Sequence, residues 1–196
     1  MCVICASPAG VRQPSSYEIK QMFFRNPDGA GYMFARRGRV EIHKGFMYLN
    51  DFLRAVEAEH FTDKDSVVYH FRISTQAGVT PAMTQPFPLS NRRDLMKQLD
   101  LICSCGVAHN GIIRLTSDPD ELEFSDTAIF ITDYLSRYIR RASDMRRPQL
   151  LNMIGAVIQS KMVLLDKTGY IATIGNFKND NGLLFSNLYH RFIGIY

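Results

Sequence analysis

A chain of 196 residues, 46% hydrophobic and 21% charged, carries enough apolar side chain for one sizeable core. That excludes a disordered chain and predicts a single domain over residues 1–196. No run approaches the ~18–20 apolar residues of a membrane span, and the N-terminus has neither the basic segment nor the apolar stretch of a signal peptide. The expectation is therefore a cytoplasmic protein without a membrane partner, whose four cysteines, Cys2, Cys5, Cys103 and Cys105, stay reduced. The net charge of +4 includes arginines bunched at Arg36, Arg37 and Arg39 and again at Arg137, Arg140, Arg141, Arg146 and Arg147. These fall on a predicted hairpin tip and on the back of a predicted helix, where solvated charge is the ordinary explanation. No nucleic-acid-binding motif accompanies them, so nucleic acid is not an expected partner.

In chain order, residues 2–6 read as a strand, and Ser15 or Ser16 caps a helix to about Phe24. A glycine-rich turn, Asn26-Pro-Asp-Gly-Ala-Gly31, precedes two alternating runs, 32–35 and 40–43, which predict a hairpin. Helical spacing returns from Asn50 or Asp51 to about Glu59, with Phe52, Leu53 and Val56 on one face. Ser66–Ile73 reads as a buried strand, followed by a long loop that holds Pro81, Pro86 and Pro88. One strand is expected around Ile102–Ala108, ending at His109-Asn-Gly111, with Ile112–Leu115 continuing beyond that turn. Ser125-Asp-Thr127 opens a helix through Tyr138, a second helix covers about Gln149–Gln159, and strands follow at Met162–Leu165 and Tyr170–Ile174. From Phe185 to the end the chain reads as extended. Strands outnumber helices, and the helices fall in an early and a late group. This order fits an α+β fold in which two sheets pack face to face with helices outside.

Cys2 stands directly behind Met1. If the methionine is removed, one residue carries both a thiol and an α-amine of ordinary pKa about 7.7–8.0, which can take the thiol proton and return it to a leaving group. Equally, Cys-Val-Ile-Cys-Ala can be a buried strand in which cysteine is a small apolar residue. Three further segments supply what attack on a carbonyl needs. Asn110-Gly111 offers an amide and a backbone N–H to an oxyanion, or is a plain hairpin turn. Arg72, at the end of an apolar strand, offers a guanidinium fork to a carboxylate, or makes a structural ion pair. Asp126 can meet an ammonium group, or cap its helix.

Cys2-x-x-Cys5 and Cys103-x-Cys105 do not have the spacing of a zinc knuckle, although a Cys-x-Cys within one strand would turn both thiols to one face. Cys5, Cys103 and Cys105 read as core residues, and no metal or other cofactor is expected.

The order of segments resembles the class II glutamine amidotransferases of the N-terminal-nucleophile hydrolase superfamily. The likeness rests on Met1-Cys2, Asn26-Pro-Asp-Gly-Ala-Gly-Tyr32, His70-Phe-Arg-Ile-Ser-Thr75, Gln85-Pro-Phe87, Ala108-His-Asn-Gly111 and Ser125-Asp-Thr127, six motifs over about 125 residues. It implies a four-layer αββα sandwich of two mainly antiparallel sheets. It further implies Cys2 as nucleophile with its own amine as base, and Asn110 with Gly111 as oxyanion hole. Arg72 would hold the α-carboxylate of glutamine, or of a related γ-glutamyl amide, and Asp126 its α-amine, with His70 and Thr75 supporting the pocket. The implied reaction is amide hydrolysis through a γ-glutamyl thioester, releasing ammonia. Val3 departs from the glycine common after the nucleophile. Only some 65 residues follow the likeness, too few for an appended synthase domain, so an ammonia acceptor would sit on a separate acceptor-binding or synthase protein. The alternative is a catalytically silent relative that binds a ligand or a protein.

Overall fold

A computed structural model describes residues 2–74, 80–114 and 123–191. It is an α+β structure with two antiparallel sheets, of seven and four strands. The first residues form β1 (Val3–Ser7), buried throughout. Helix α1 (Ser16–Arg25) begins at Ser15, whose Oγ accepts from Glu18 N (3.2 Å) while Glu18 Oε2 accepts from Ser15 N (2.8 Å). This reciprocal capping box satisfies two backbone donors that the first helical turn leaves over. Arg12 then clamps both oxygens of Glu18, at 2.7 and 2.8 Å.

The predicted hairpin is β2 (Ala30–Arg36) and β3 (Arg39–Phe46), joined through Arg37 and Gly38, both at positive φ. The tip arginines are paired locally. Arg36 reaches Glu59 at 2.9 Å and lies over the Phe34 ring, and Arg39 reaches Glu41 at 3.0 Å. Helix α2 (Leu49–Ala58) and strand β4 (Val67–Phe71) follow.

The proline-bearing segment holds structure that its composition hides: a 3-10 turn at Pro81–Met83, a short β5 (Phe87–Pro88) and a helical turn α3 (Arg93–Met96). The single strand expected around Ile102–Ala108 is two strands, β6 (Asp100–Cys103) and β7 (Cys105–Asn110), which belong to different sheets. Nor does a strand follow Gly111 among the described residues: β7 pairs with β8 (Lys161–Asp166), Asn110 opposite Lys161.

The helix from Ser125 is α4 (Asp126–Phe130), which runs through a π-helical stretch at Ile131–Leu135 into α5 (Ser136–Tyr138). Helix α6 (Pro148–Ile158), β9 (Ile171–Ile174), β10 (Lys178–Asp180) and β11 (Leu183–Phe185) complete the order. The extended segment expected from Phe185 onward instead stops there, and the chain turns into a 3-10 helix at Tyr189–Arg191.

The large sheet runs β10-β11-β1-β4-β2-β3-β6 and the small one β5-β7-β8-β9. Three apolar clusters follow from side-chain alternation. Val3, Cys5, Tyr69 and Phe71 pack with Ile19, Met22, Phe23 and Phe52 of α1 and α2. Val107, Met162, Leu164 and Ile174 pack with Phe130, Leu135, Ile154 and Ile158 of the later helices. Ile4, Ala6, Met33, Ile42 and Val68 of the large sheet meet Ala108, Val163 and Leu165 of the small sheet. The third cluster lies between the sheets, and Gly106 lets them approach there, since a Cβ at that residue would fall 2.4 Å from Met33 Sδ. No helix among the described residues is long and apolar enough to cross a membrane.

Candidate active site

Alternation also decides where the chemistry-bearing residues point. Ile4 and Ala6 of β1 face the inter-sheet core, which puts Cys2 on the same side; Val68 of β4 does likewise, and with it His70 and Arg72; Ala108 of β7 carries Asn110. Val3 pairs with Phe71 in antiparallel register, so the start of β1 and the end of β4 share one edge of the sheet. His70 Nε2 crosses the gap to donate to the His109 carbonyl at 3.1 Å, which fixes the end of β7 opposite them. Cys2, Arg72 and Asn110 thereby enter one gap at one end of the two sheets, with His70 as the tie between the layers.

The nucleophile candidate is held on both sides. Cys2 Sγ donates to the Ile73 carbonyl at 3.6 Å, and the Cys2 carbonyl accepts from Asn187 Nδ2 at 2.7 Å. Burial pushes the Cys2 thiol above its ordinary range, and the nearby Arg72 guanidinium offsets only part of that. A thiol so placed is neutral near pH 7 and needs a proton acceptor beside it before it can attack.

Arg72 is gripped through its backbone. Its N–H donates to the Gly29 carbonyl (2.8 Å), and its carbonyl accepts from Asp28 N (3.0 Å). Asp28 Oδ2 in turn accepts from Ser74 N at 2.7 Å, so the Pro-Asp-Gly turn brackets the strand end. Arg72 Nη1 is buried and has no hydrogen-bond partner among the described residues, nor does any ion pair among them include Arg72. The structural ion pair considered as an alternative is thus absent among these residues, and a buried donor is left facing the gap.

Asn110 closes the opposite wall. It is 5% exposed, its Nδ2 donates to Ser186 Oγ at 2.8 Å, and its Oδ1 is buried without a partner among the described residues. Among the described residues no strand pairs across Asn110-Gly111, and Asn110 instead lies opposite Lys161 of β8, so the hairpin-turn alternative does not hold there. Gly111 sits at φ +151°, and a Cβ there would lie 2.4 Å from the Ser160 Cβ. The neighbouring His109 is a bridge between elements: Nδ1 lies 2.9 Å from Thr127 Oγ1 of α4 and Nε2 2.6 Å from Ser160 Oγ, just before β8. Burial pushes the ring down to about 4, so it stays neutral and can donate to one hydroxyl while accepting from the other. Gln85 of the Gln-Pro-Phe segment accepts the His109 N–H at 2.6 Å.

Asp126 plays a different part from Ser125 beside it. Ser125 Oγ is the helix cap, accepting from Ala128 N at 3.2 Å. Asp126 Oδ2 accepts from Ile113 N (2.6 Å) and Oδ1 from Thr127 N (2.7 Å), so it anchors the chain leaving Gly111. No hydrogen bond or ion pair among the described residues joins it to Cys2 or Arg72. Thr75 lies outside the described residues. Cys103 and Cys105 do not share a face, because the chain changes sheet between them: Cys103 packs against the inter-sheet cluster and Cys105 against the outer helices. A cavity of about 280 Å³ lined by Leu89, Cys105, Ile139 and Met145 contains none of the candidate residues.

Sequence reasoning missed Ser186 and Asn187, which reach Ile4, Asn110 and Cys2 from the far end of the chain. Serine and asparagine after a short strand carry no signal of such a role. No protein-family model matches this chain, and no curated protein is significantly similar to it.

Proposed function

We propose that this protein is a class II glutamine amidotransferase-like amidohydrolase with the four-layer αββα fold of the N-terminal-nucleophile hydrolases. The observation that carries the reading is that a half-buried thiol just before β1, a guanidinium just after β4 whose buried Nη1 has no partner among the described residues, and an asparagine amide at the end of β7 lie at one end of the two sheets. The reading requires cleavage of the peptide bond before Cys2. The freed amine takes the thiol proton, and the sulfur attacks the side-chain carbonyl carbon of glutamine or a related γ-glutamyl amide. Asn110 Nδ2 and the Gly111 N–H receive the developing negative charge on oxygen. The C–N bond then breaks, the amine returns the proton to the leaving nitrogen, ammonia departs, and water hydrolyses the thioester to the acid.

Arg72 fits the substrate α-carboxylate, because a fork of N–H donors matches two carboxylate oxygens. Asp126 would meet the α-amine with a carboxylate whose two oxygens already accept backbone N–H groups. The ammonia would pass to a separate acceptor-binding protein or be released. The alternative is a silent relative that binds such an amide without cleaving it. Ammonia release from glutamine by the chain, and its loss in Cys2→Ala, tests the reading; binding without release would favour the silent form.

A further inference from the structure

Ser186 sits opposite Ile4, continuing the pairing of β11 with β1, where an ordinary antiparallel pair exchanges two backbone bonds. One of the two is present: Ser186 N donates to the Ile4 carbonyl at 2.9 Å. The other is diverted, because Ile4 N–H goes to Ser186 Oγ at 2.9 Å and the Ser186 carbonyl turns to Lys161 Nζ. The hydroxyl is therefore fixed by backbone geometry, fully buried, and placed against the Asn110 amide at 2.8 Å.

With Asn110 Nδ2 toward it, Ser186 Oγ accepts two bonds, its own proton has no acceptor among the described bonds, and Asn110 Oδ1 is a buried orphan. An unsatisfied buried acceptor is costly. A half-turn of the amide exchanges its two ends at almost no change in shape. Ser186 then accepts from Ile4 and donates to Asn110 Oδ1, while Nδ2 takes the place where the orphan oxygen lay. Oδ1 gains a donor, and the hydroxyl replaces one amide N–H as the satisfied donor, so the groups left without a partner are the two amide N–H groups. The amide left facing the gap offers two N–H groups in place of an oxygen that would repel an oxyanion.

We infer that Ser186 is a positioning residue that selects the orientation of the Asn110 amide in which Nδ2 faces the reacting carbonyl. This rests on the amidohydrolase reading for its consequence, but the orientation itself does not. Neutron diffraction from deuterium-exchanged crystals should show amide deuterons on the atom facing the gap, and the Ser186 hydroxyl deuteron directed at the other atom. Amide deuterons beside Ser186 would overturn the inference, whether or not the protein turns over glutamine. In kinetics, Ser186→Ala should lower kcat at least tenfold with KM within about twofold, a fraction of the 10²–10³ of a lost oxyanion donor. Ser186→Thr, which keeps the hydroxyl, should restore most of it. A folded Ser186→Ala with unchanged kcat would reject the positioning role while leaving the amidohydrolase reading intact. A wild-type chain that releases no ammonia would instead reject that reading, and the deuteron positions would still decide the orientation.

Discussion

Arg72 and Asn110 face the same gap from opposite sheets, yet their effects should be separable. On the proposed reading Arg72 would touch a part of the substrate that does not change during reaction, so Arg72→Ala should raise KM by an order of magnitude or more and leave kcat within a few-fold. On the same reading Asn110 would meet charge that exists only as the carbonyl is attacked, so Asn110→Ala should lower kcat about 10²–10³-fold with little change in KM. Steady-state kinetics of the two variants checks both, and equal losses in the same parameter would contradict the assignment. At this scale the motifs name Cys2, Arg72 and Asn110 as candidates, and the structure gives their placement and partners. The sequence was silent on Ser186 and Asn187, because their contacts span 76 and 185 residues and no local pattern records them.

The elements that place these residues are legible where local chemistry alone determines them. Ser15 and Glu18 write a capping box, and helix α1 begins where they say. Ser15→Ala should destabilise the protein by about 1 kcal/mol, measured as a lower denaturant midpoint at unchanged slope. No change would mean that Arg12, which also holds Glu18, carries the cap unaided. The passage from β6 to β7 was not legible, because both strands are apolar and only Ser104 separates them. Tertiary pairing assigns Ile102 to Glu41 in one sheet and Val107 to Leu164 in the other. The same limit hid β5, whose two residues gain strand character only by pairing with β7.

Across the whole molecule the sheets are joined by an apolar layer and by buried histidines that must stay uncharged. Burial pushes His70 down to about 3 and His109 to about 4, against about 6.5 in an unfolded chain. Between these values the unfolded state binds protons that the folded state refuses. The stability they allow is therefore complete above about pH 6.5 and falls as pH drops toward 4, by about 1.4 kcal/mol per pH unit for each histidine. Urea unfolding at pH 7 and pH 5 should show a lower midpoint at pH 5, and equal midpoints would show that neither ring is held neutral by the fold. The two-sheet arrangement itself was foreshadowed by the count and order of strands, whereas the seven-to-four division follows from non-local pairings that no stretch of sequence encodes.

On the proposed reading activity depends on the bond behind Cys2, since a thiol raised by burial needs the adjacent amine to become a nucleophile. The most direct measurement is ammonia release from glutamine by chain whose intact mass shows Met1 removed, alongside Cys2→Ala. The account predicts release by the first and none by the second. Release that persists in Cys2→Ala, or its absence from Met1-free protein, would contradict it.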